Sequence, residues 1–464
     1  MTRPNILWYC TDQQRFDTIG ALGNSYVRTS AIDSLVKGGA AFTHAYCQSP
    51  ICTPSRSSYM TGLYPSRLHN TRNGNDTFPT WPPLVSKIMA DAGYVCGLIG
   101  KFHLVSAGGR PEPRLDDGFT YWQHSHAPRD DWPLGTHPYA DWVRAQGQDL
   151  NALRESKDRV PTTLHQTKWA SDRAIEFINY EHGSPWMLNV NVYDPHPPFI
   201  PPASYSRRFD SSIMPGPYFR DSDLDNQAKL ENVDFQGGAM PPEEFGGKDI
   251  QAKYYAMIAQ VDDQLARIME TLEKSGQIDN TVVVLTSDHG EALGDHGLVQ
   301  KGCRFYEGLS RVPLIFSWPG VIVPNQKHSG LVELLDLSAT LLSISGVEIP
   351  DYHQGLNLLP ILKGEQRGDS IRKSVRCEYF DALDTTREGS GSFATMHRTE
   401  HHKICVYHDQ GIGELFDLQE DPWEFNNLWD DPAHVDIRNR LIFESFNSHV
   451  LLTTDVGSKR IAQM

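Results

Sequence analysis

Short runs of apolar and β-branched residues recur along the chain, separated by longer stretches of helical period. Thr281-Val282-Val283-Val284-Leu285 is apolar at almost every position, the pattern of a strand covered on both faces. Asn5–Cys10, Val95–Ile99 and Trp186–Val192 read the same way. Within Asp249–Lys274, Val261, Leu265, Ile268 and Leu272 fall on one helical face, and Gly276 is placed to stop that helix. Pro83–Ala92, closed by Gly93, predicts another helix. Strands and helices in alternation imply an α/β fold, a large and mostly parallel sheet sandwiched by helices.

Two stretches break the pattern. Residues 104–160 and 200–247 are rich in Pro, Gly, His and charge, and we expect long binding loops or lids there. Within the first, the His- and Asp-rich run from His124 to Asp141 reads as solvated loop, with a polar pocket wall as the alternative. After Gly364 the character changes. Ser392–Arg398 and Lys403–His408 predict strands of an antiparallel unit, following the turn-rich Arg387-Glu388-Gly389-Ser390-Gly391. The expected division is residues 1–365 as the α/β catalytic domain and 366–464 as a smaller carboxy-terminal α+β subdomain with a tail. The tail after His449 suits a dimer arm or a frayed end, so a homo-oligomer stays open.

Composition narrows the class. The 464 residues carry 42 Lys+Arg against 58 Asp+Glu, a net charge of −16, which argues against a nucleic-acid partner. No run reaches membrane-spanning length, and Met1-Thr2-Arg3-Pro4 passes directly into the first strand, so we expect no signal peptide. Seven cysteines without a C-x-x-C pair fit a reducing compartment, and we expect a cytoplasmic chain with no membrane partner.

The candidate chemistry lies just after the strands. Asp12 and Gln13 follow the first, Lys101 and His103 the strand at 95–99, Asp194 and His196 the strand at 186–192, and Asp288 and His289 the strand at 281–285. A lone Asp in such a place is usually a cap or turn residue, and a lone His or Lys is usually structural or solvated. Four polar strand ends together instead predict one shared crevice, because open α/β sheets bind ligands beyond the carboxyl ends of their strands. Asp12, Gln13, Asp288 and His289 offer mainly oxygen donors, suited to a hard divalent cation. Lys101, His103, His196 and Lys301 add cationic or donor groups. Metal and cations at one spot in an acidic protein describe a site for an oxyanion. Cys52, in Cys52-Thr53-Pro54-Ser55-Arg56, allows three readings: a buried cysteine before a helix, a thiolate activated by the helix terminus and Arg56, or a zinc ligand with Cys47.

The C-x-P-x-R motif at Cys52–Arg56 resembles the signature of the type I, formylglycine-dependent sulfatases of the alkaline phosphatase superfamily. Gly100-Lys101-Phe102-His103, Asp194-Pro195-His196, Ser287-Asp288-His289-Gly290, Lys301-Gly302 and the late Gly413–Leu418 segment follow in that family's order, and the likeness spans nearly the whole chain. The resemblance implies an alkaline-phosphatase-like fold and a sulfatase acting on sugar or aryl sulfate monoesters. It implies that a formylglycine-generating enzyme converts Cys52 to an aldehyde, hydrated to a diol. One diol oxygen attacks sulfur, the alcohol leaves in line, and the second hydroxyl then loses its proton as sulfate is expelled. By the same resemblance Asp12, Gln13, Asp288, His289 and residue 52 bind the metal, calcium first with manganese or magnesium as alternatives. Arg56 and Lys101 steady the diol, and His103 is the base. Lys101, His196 and Lys301 hold the sulfate, with His196 or Lys301 protonating the leaving oxygen. Gln13 and His289 depart from the commonest Asp/Asn pattern and resemble the phosphonate monoester hydrolase and choline-sulfatase branches; Lys101 and His103 favour sulfate. A phosphonate monoester or phosphodiester hydrolase, a non-catalytic binder of sulfated ligands and a thiol-dependent hydrolase are the alternatives.

Overall fold

A computed structural model describes residues 3–156, 160–383 and 391–454. Eight strands build the large sheet: β1 (Asn5–Thr11), β2 (Gly39–Phe42), β3 (Val95–Gly100), β4 (Phe119–His124), β5 (Trp186–Val192), β6 (Thr281–Ser287), β7 (Leu314–Ser317) and β8 (Gln326–His328). Their order is β8-β2-β7-β6-β1-β5-β3-β4. Only β7 runs antiparallel to its neighbours, β2 and β6. The four strands expected from apolar runs occupy the centre, each ending within two residues of its predicted limit.

Strand alternation sends successive side chains to opposite faces. Ile6, Trp8 and Cys10 of β1 enter one core with Tyr59 and Met60 of α2 (Cys52–Thr61), Val85 and Met89 of α3 (Val85–Asp91), and Leu337 and Leu341 of α6 (Leu335–Ile344). Leu7 and Tyr9 enter the other, against α1 (Ser30–Gly38), α4 (Gln166–Asn179) and α5 (Gly247–Lys274). Val261, Leu265, Ile268 and Leu272 of α5 are all fully buried in that second core. Each such side chain stabilises the fold by about 1.5–3 kcal/mol through removal from water.

A second sheet is antiparallel, β9 (Ser374–Phe380), β10 (Phe393–Thr399), β11 (His402–Tyr407) and β12 (Ile412–Asp417), in sequence order. Its Val375, Cys377, Met396 and Cys405 belong to the same core as β1. Lys403, fully buried, pairs with Glu307 and Glu424 and ties this sheet to the segment after β6. The helix α7 (Val435–Thr453) covers it through Leu441. His449 lies within that helix; residues 455–464 of the expected tail, and 387–390 of the turn-rich stretch, fall outside the described residues.

The region expected to be irregular from 104 to 160 is corrected in part. Its Phe119–His124 segment joins the large sheet as an edge strand, paired parallel to β3. Helices at Pro138–Ala145 and Leu150–Glu155 follow. Likewise, short helices at Ala203–Ser206, Ser222–Ala228 and Pro242–Phe245 punctuate 200–247. Among the described residues no helix is long and apolar enough to cross a membrane.

Candidate active site

Parallel register explains why residues far apart in sequence meet. Thr11 stands opposite both Ser287 and Val192, and Gly100 stands opposite Asn191. The residues that follow these positions therefore leave the sheet side by side. Asp12, Asp288, His289 and Cys52 bring their ligand atoms within 4.8 Å of one another, all fully or almost fully buried.

Cys52 opens α2, so its side chain sits at the positive end of that helix. The Thr53 N–H donates to Asn73 Oδ1 at 3.0 Å, and Gly62, at φ 79°, closes the helix with its N–H on Ser58 O. The Cys52 Sγ is 2.9 Å from Lys301 Nζ, 3.4 Å from Lys101 Nζ and 3.2 Å from His289 Nε2. Burial alone would raise the thiol, but Lys101, Lys301 and His289 hold it well below the usual thiol range. The site therefore stabilises negative charge at residue 52. C-x4-C zinc with Cys47 does not form: Cys47 lies apart from the ligand cluster and places its Sγ near Leu309 O. None of the seven cysteines is joined in a disulfide among the described residues.

The charges of the floor are paired. Arg56 Nε donates to Asp288 Oδ2 at 2.9 Å, and its Nη1 donates to Lys101 O at 2.7 Å and Asn191 Oδ1 at 3.3 Å. Lys101 pairs with Asp12. Burial works against the Asp12 carboxylate, yet Lys101, with His196 and Arg56, holds it down at about 2. Asp288 Oδ1 accepts the backbone N–H groups of Gln13 and His289, each at 3.0 Å.

Ring tautomers follow from the hydrogen bonds. His289 Nδ1 donates to Gly290 O at 2.8 Å, which leaves the Nε2 lone pair facing Cys52. His196 Nδ1 donates to Pro197 O at 2.6 Å, leaving Nε2 to accept from Lys301 Nζ at 3.3 Å. Burial and Lys301 hold His196 below its ordinary value, and burial and Lys101 do the same to His103. Gln13 and His103 both sit at positive φ, 70° and 56°, a conformation that costs a non-glycine residue on the order of 1–3 kcal/mol. Strain of this kind persists only where surrounding contacts over-determine it. Here Tyr254 Oη donates to Gln13 O at 2.6 Å, and Thr53 Oγ1 donates to His103 O at 3.0 Å.

Ten of the residues singled out in the sequence converge on this spot; Asp194, the eleventh, instead accepts from Thr167 Oγ1 and faces His165. Three contributors were missed. Asn191 and Asn73 give no sequence signal beyond lying near a strand end or a loop. Glu291 directly follows the Ser287-Asp288-His289-Gly290 motif and accepts from Gln13 Nε2. The run from His124 to Asp141 is corrected in part: His124, His126 and His137 are buried, as the alternative of a polar wall expects, while Arg129, Asp131 and Leu134 stay exposed. The His126 ring meets the His103 ring edge to face, centroids 4.4 Å apart, and Trp132 packs against both His126 and His137. This wall borders the floor on the His103 side.

The residues present fit a divalent cation. Two buried carboxylates, an amide oxygen and an imidazole nitrogen with its outer nitrogen fixed form a donor set of the right hardness and tautomer. The sulfatase family profile matches residues 4–347, and a second, described as N-sulphoglucosamine sulphohydrolase, C-terminal, matches residues 294–447. The chain belongs to the sulfatase family and is a sulfuric ester hydrolase. Membership implies a divalent metal and a formylglycine made from the motif cysteine. The chain is similar to an arylsulfatase of Clostridium perfringens (strain 13 / Type A), 28% identical over 448 residues, covering 92% of this chain and 90% of the relative. It is 27% identical to the multifunctional alkaline phosphatase superfamily protein PehA of Trinickia caryophylli, covering 94% and 93%. The crystal structure of the phosphonate monoester hydrolase of Agrobacterium radiobacter superposes with a TM-score of 0.82 at 25% identity, covering 98% of this chain and 96% of that one.

Proposed function

We propose that the protein hydrolyses sulfate monoesters of sugar or aryl alcohols, using residue 52 after its conversion by a formylglycine-generating enzyme. The observation that carries this reading is the Cys52 Sγ, which marks the place of the nucleophilic oxygen, ringed by Lys301, Lys101 and His289 within 3.4 Å. When bound, a divalent cation held by Asp12, Gln13, residue 52, Asp288 and His289 supplies Lewis acidity, and converted residue 52 supplies the attacking oxygen. Lys101 and Lys301 place positive charge where the sulfuryl oxygens gain negative charge, and His196 shares that face through Lys301. Arg56 braces Asp288 and Asp12 from below, holding the donor set rigid. His103 faces the residue-52 side chain and, kept neutral by burial, is ready to accept its proton. Lys301 Nζ, or His196 Nε2 after taking a proton from Lys301, returns a proton to the leaving oxygen.

Calcium is the cation we assign first; the His289 nitrogen is the donor that keeps manganese in competition, and magnesium is the third choice. The division at residues 365 and 366 is supported by the separate antiparallel sheet starting at Ser374. Phosphonate monoester hydrolysis is the second reading, favoured by the Gln13/His289 pair and the Agrobacterium radiobacter likeness. Lys101 and His103 at residue 52 favour sulfate. The test is the mass of the peptide carrying residue 52 from protein co-expressed with a converting enzyme, with kcat/KM for p-nitrophenyl sulfate and phenyl phosphonate. An aldehyde and faster sulfate turnover support the proposal. An unmodified thiol, or phosphonate turned over far better, overturns it.

A further inference from the structure

We infer that Glu291 is a positioning residue that decides which atom of the Gln13 amide faces the metal site. The inference rests on the reading of Asp12, Gln13, Asp288 and His289 as a divalent-metal site. Glu291 is fully buried. Its Oε1 accepts the backbone N–H of Leu293 at 3.0 Å and that of Gln300, and its Oε2 accepts from Gln13 Nε2. Every partner is an N–H donor, so the carboxylate acts purely as acceptor.

A glutamine amide is nearly symmetric in shape, and packing alone does not choose between its oxygen and its NH2 face. A carboxylate does choose: it takes the NH2. With Nε2 committed to Glu291, Gln13 Oε1 is turned to the opposite side, where Lys301 Nζ donates to it at 2.8 Å, beside Cys52 Sγ and His289 Nε2. The oxygen is the amide atom that binds a hard cation; the reversed amide would aim two N–H dipoles at it. The Gln13 backbone is held separately, by Tyr254 Oη on its carbonyl and by Asp288 Oδ1 on its N–H. Glu291 is thus left with the side chain alone.

The arrangement makes a sharp prediction. In Glu291→Gln, the new side chain keeps its oxygen on the Leu293 and Gln300 N–H groups and offers NH2 to Gln13. The Gln13 amide then reverses and turns its NH2 toward Lys301 Nζ, which loses its bond to the amide oxygen, while every hydrogen bond at position 291 is kept. An exchange, Gln13→Glu with Glu291→Gln, reinstates an oxygen facing the site, because Gln at 291 donates to one oxygen of Glu at 13. The probes are Mn2+ and Ca2+ alone, titrated calorimetrically into chelator-treated protein with residue 52 in the same state throughout. Thermal unfolding in chelator confirms that each variant folds. We expect Glu291→Gln to weaken metal binding by roughly 10–100-fold, the usual effect of losing an outer partner of a ligand. The exchange variant should recover to within about threefold of the native protein. In a Gln13→Ala background, Glu291→Gln should change affinity by less than about twofold, since the group it orients is gone. Native-like affinity in Glu291→Gln overturns the inference, as does an equal loss in the Gln13→Ala background, which does not depend on the exchange variant folding. A native protein that binds neither ion sinks the metal-site reading itself, and this inference with it.

Discussion

On the floor of the site, Asp12, Asp288, Arg56 and Lys101 are charged, buried and each within ion-pair distance of an opposite charge. In the wall beside it, His124, His126 and His137 are also buried, and none of them forms an ion pair with an acidic group among the described residues. Burial pushes His124 down to about 4 and His137 to about 3, and carries His126 well below its ordinary value. The floor keeps charge by pairing it; the wall avoids charge by refusing protons. A buried ion is tolerable only with partners, whereas an imidazole can shed its charge instead. His103 belongs to both, facing residue 52 on one side and His126 on the other.

The largest effect should come from the nucleophile. Cys52→Ser should lower multiple turnover by about 10⁴-fold or more, releasing at most one equivalent of alcohol. Sustained turnover by the serine variant in a burst assay would remove residue 52 from its assigned role. His103→Asn should cost about 10²–10⁴-fold in kcat and stall after the first equivalent. Because burial and Lys101 hold His103 below its usual value, the acid limb of native kcat should be centred below pH 6.5, and the variant should lack that limb. A native acid limb centred above 6.5 would contradict the neutral, buried imidazole. Lys301→Ala should cost about 10²–10³-fold in kcat, as for loss of one oxyanion donor. A change confined to KM would make Lys301 a binding group only.

The wall should instead show itself in stability. His124 has a folded value of about 4, below the ordinary 6.5 of an unfolded chain. Between those values the unfolded chain takes up a proton that the folded one refuses, so stability present above pH 6.5 is lost as pH falls toward 4. For His124 alone this amounts to about 3 kcal/mol. His124→Phe should flatten the dependence of urea unfolding on pH across that window, while leaving turnover at pH 7.5 within about threefold, since the residue does not touch the floor. Equal slopes in the two proteins would show that His124 does not carry the effect.

Much of this was legible before any coordinates. The central strands announce themselves because both their faces are buried, so nearly every position must be apolar. β4 did not: an edge strand leaves Thr120 exposed and Tyr121, Trp122 and Gln123 half-buried, and carries too few apolar positions to stand out. β7 spans four residues and hides in the same way. Nine of the ten candidate residues stand out because they sit just after strands or within the Cys52 motif; Lys301, well past β6, stands out only through the Lys301-Gly302 match of the family resemblance. Asn191 and Glu291 do not, since a residue that braces a ligand needs only to be near it in space.

By itself the sequence determined the alternation of strand and helix, the polar ends of the strands and the chemistry those ends could hold, because these follow from local patterning and residue type. Tertiary structure alone decided that His124, His126 and His137 turn inward, that the Gln13 amide is aimed by Glu291, and that Lys101 and Lys301 both close on residue 52. Each of these depends on which groups are excluded from water together, and burial is a property of the packed whole rather than of any segment read alone.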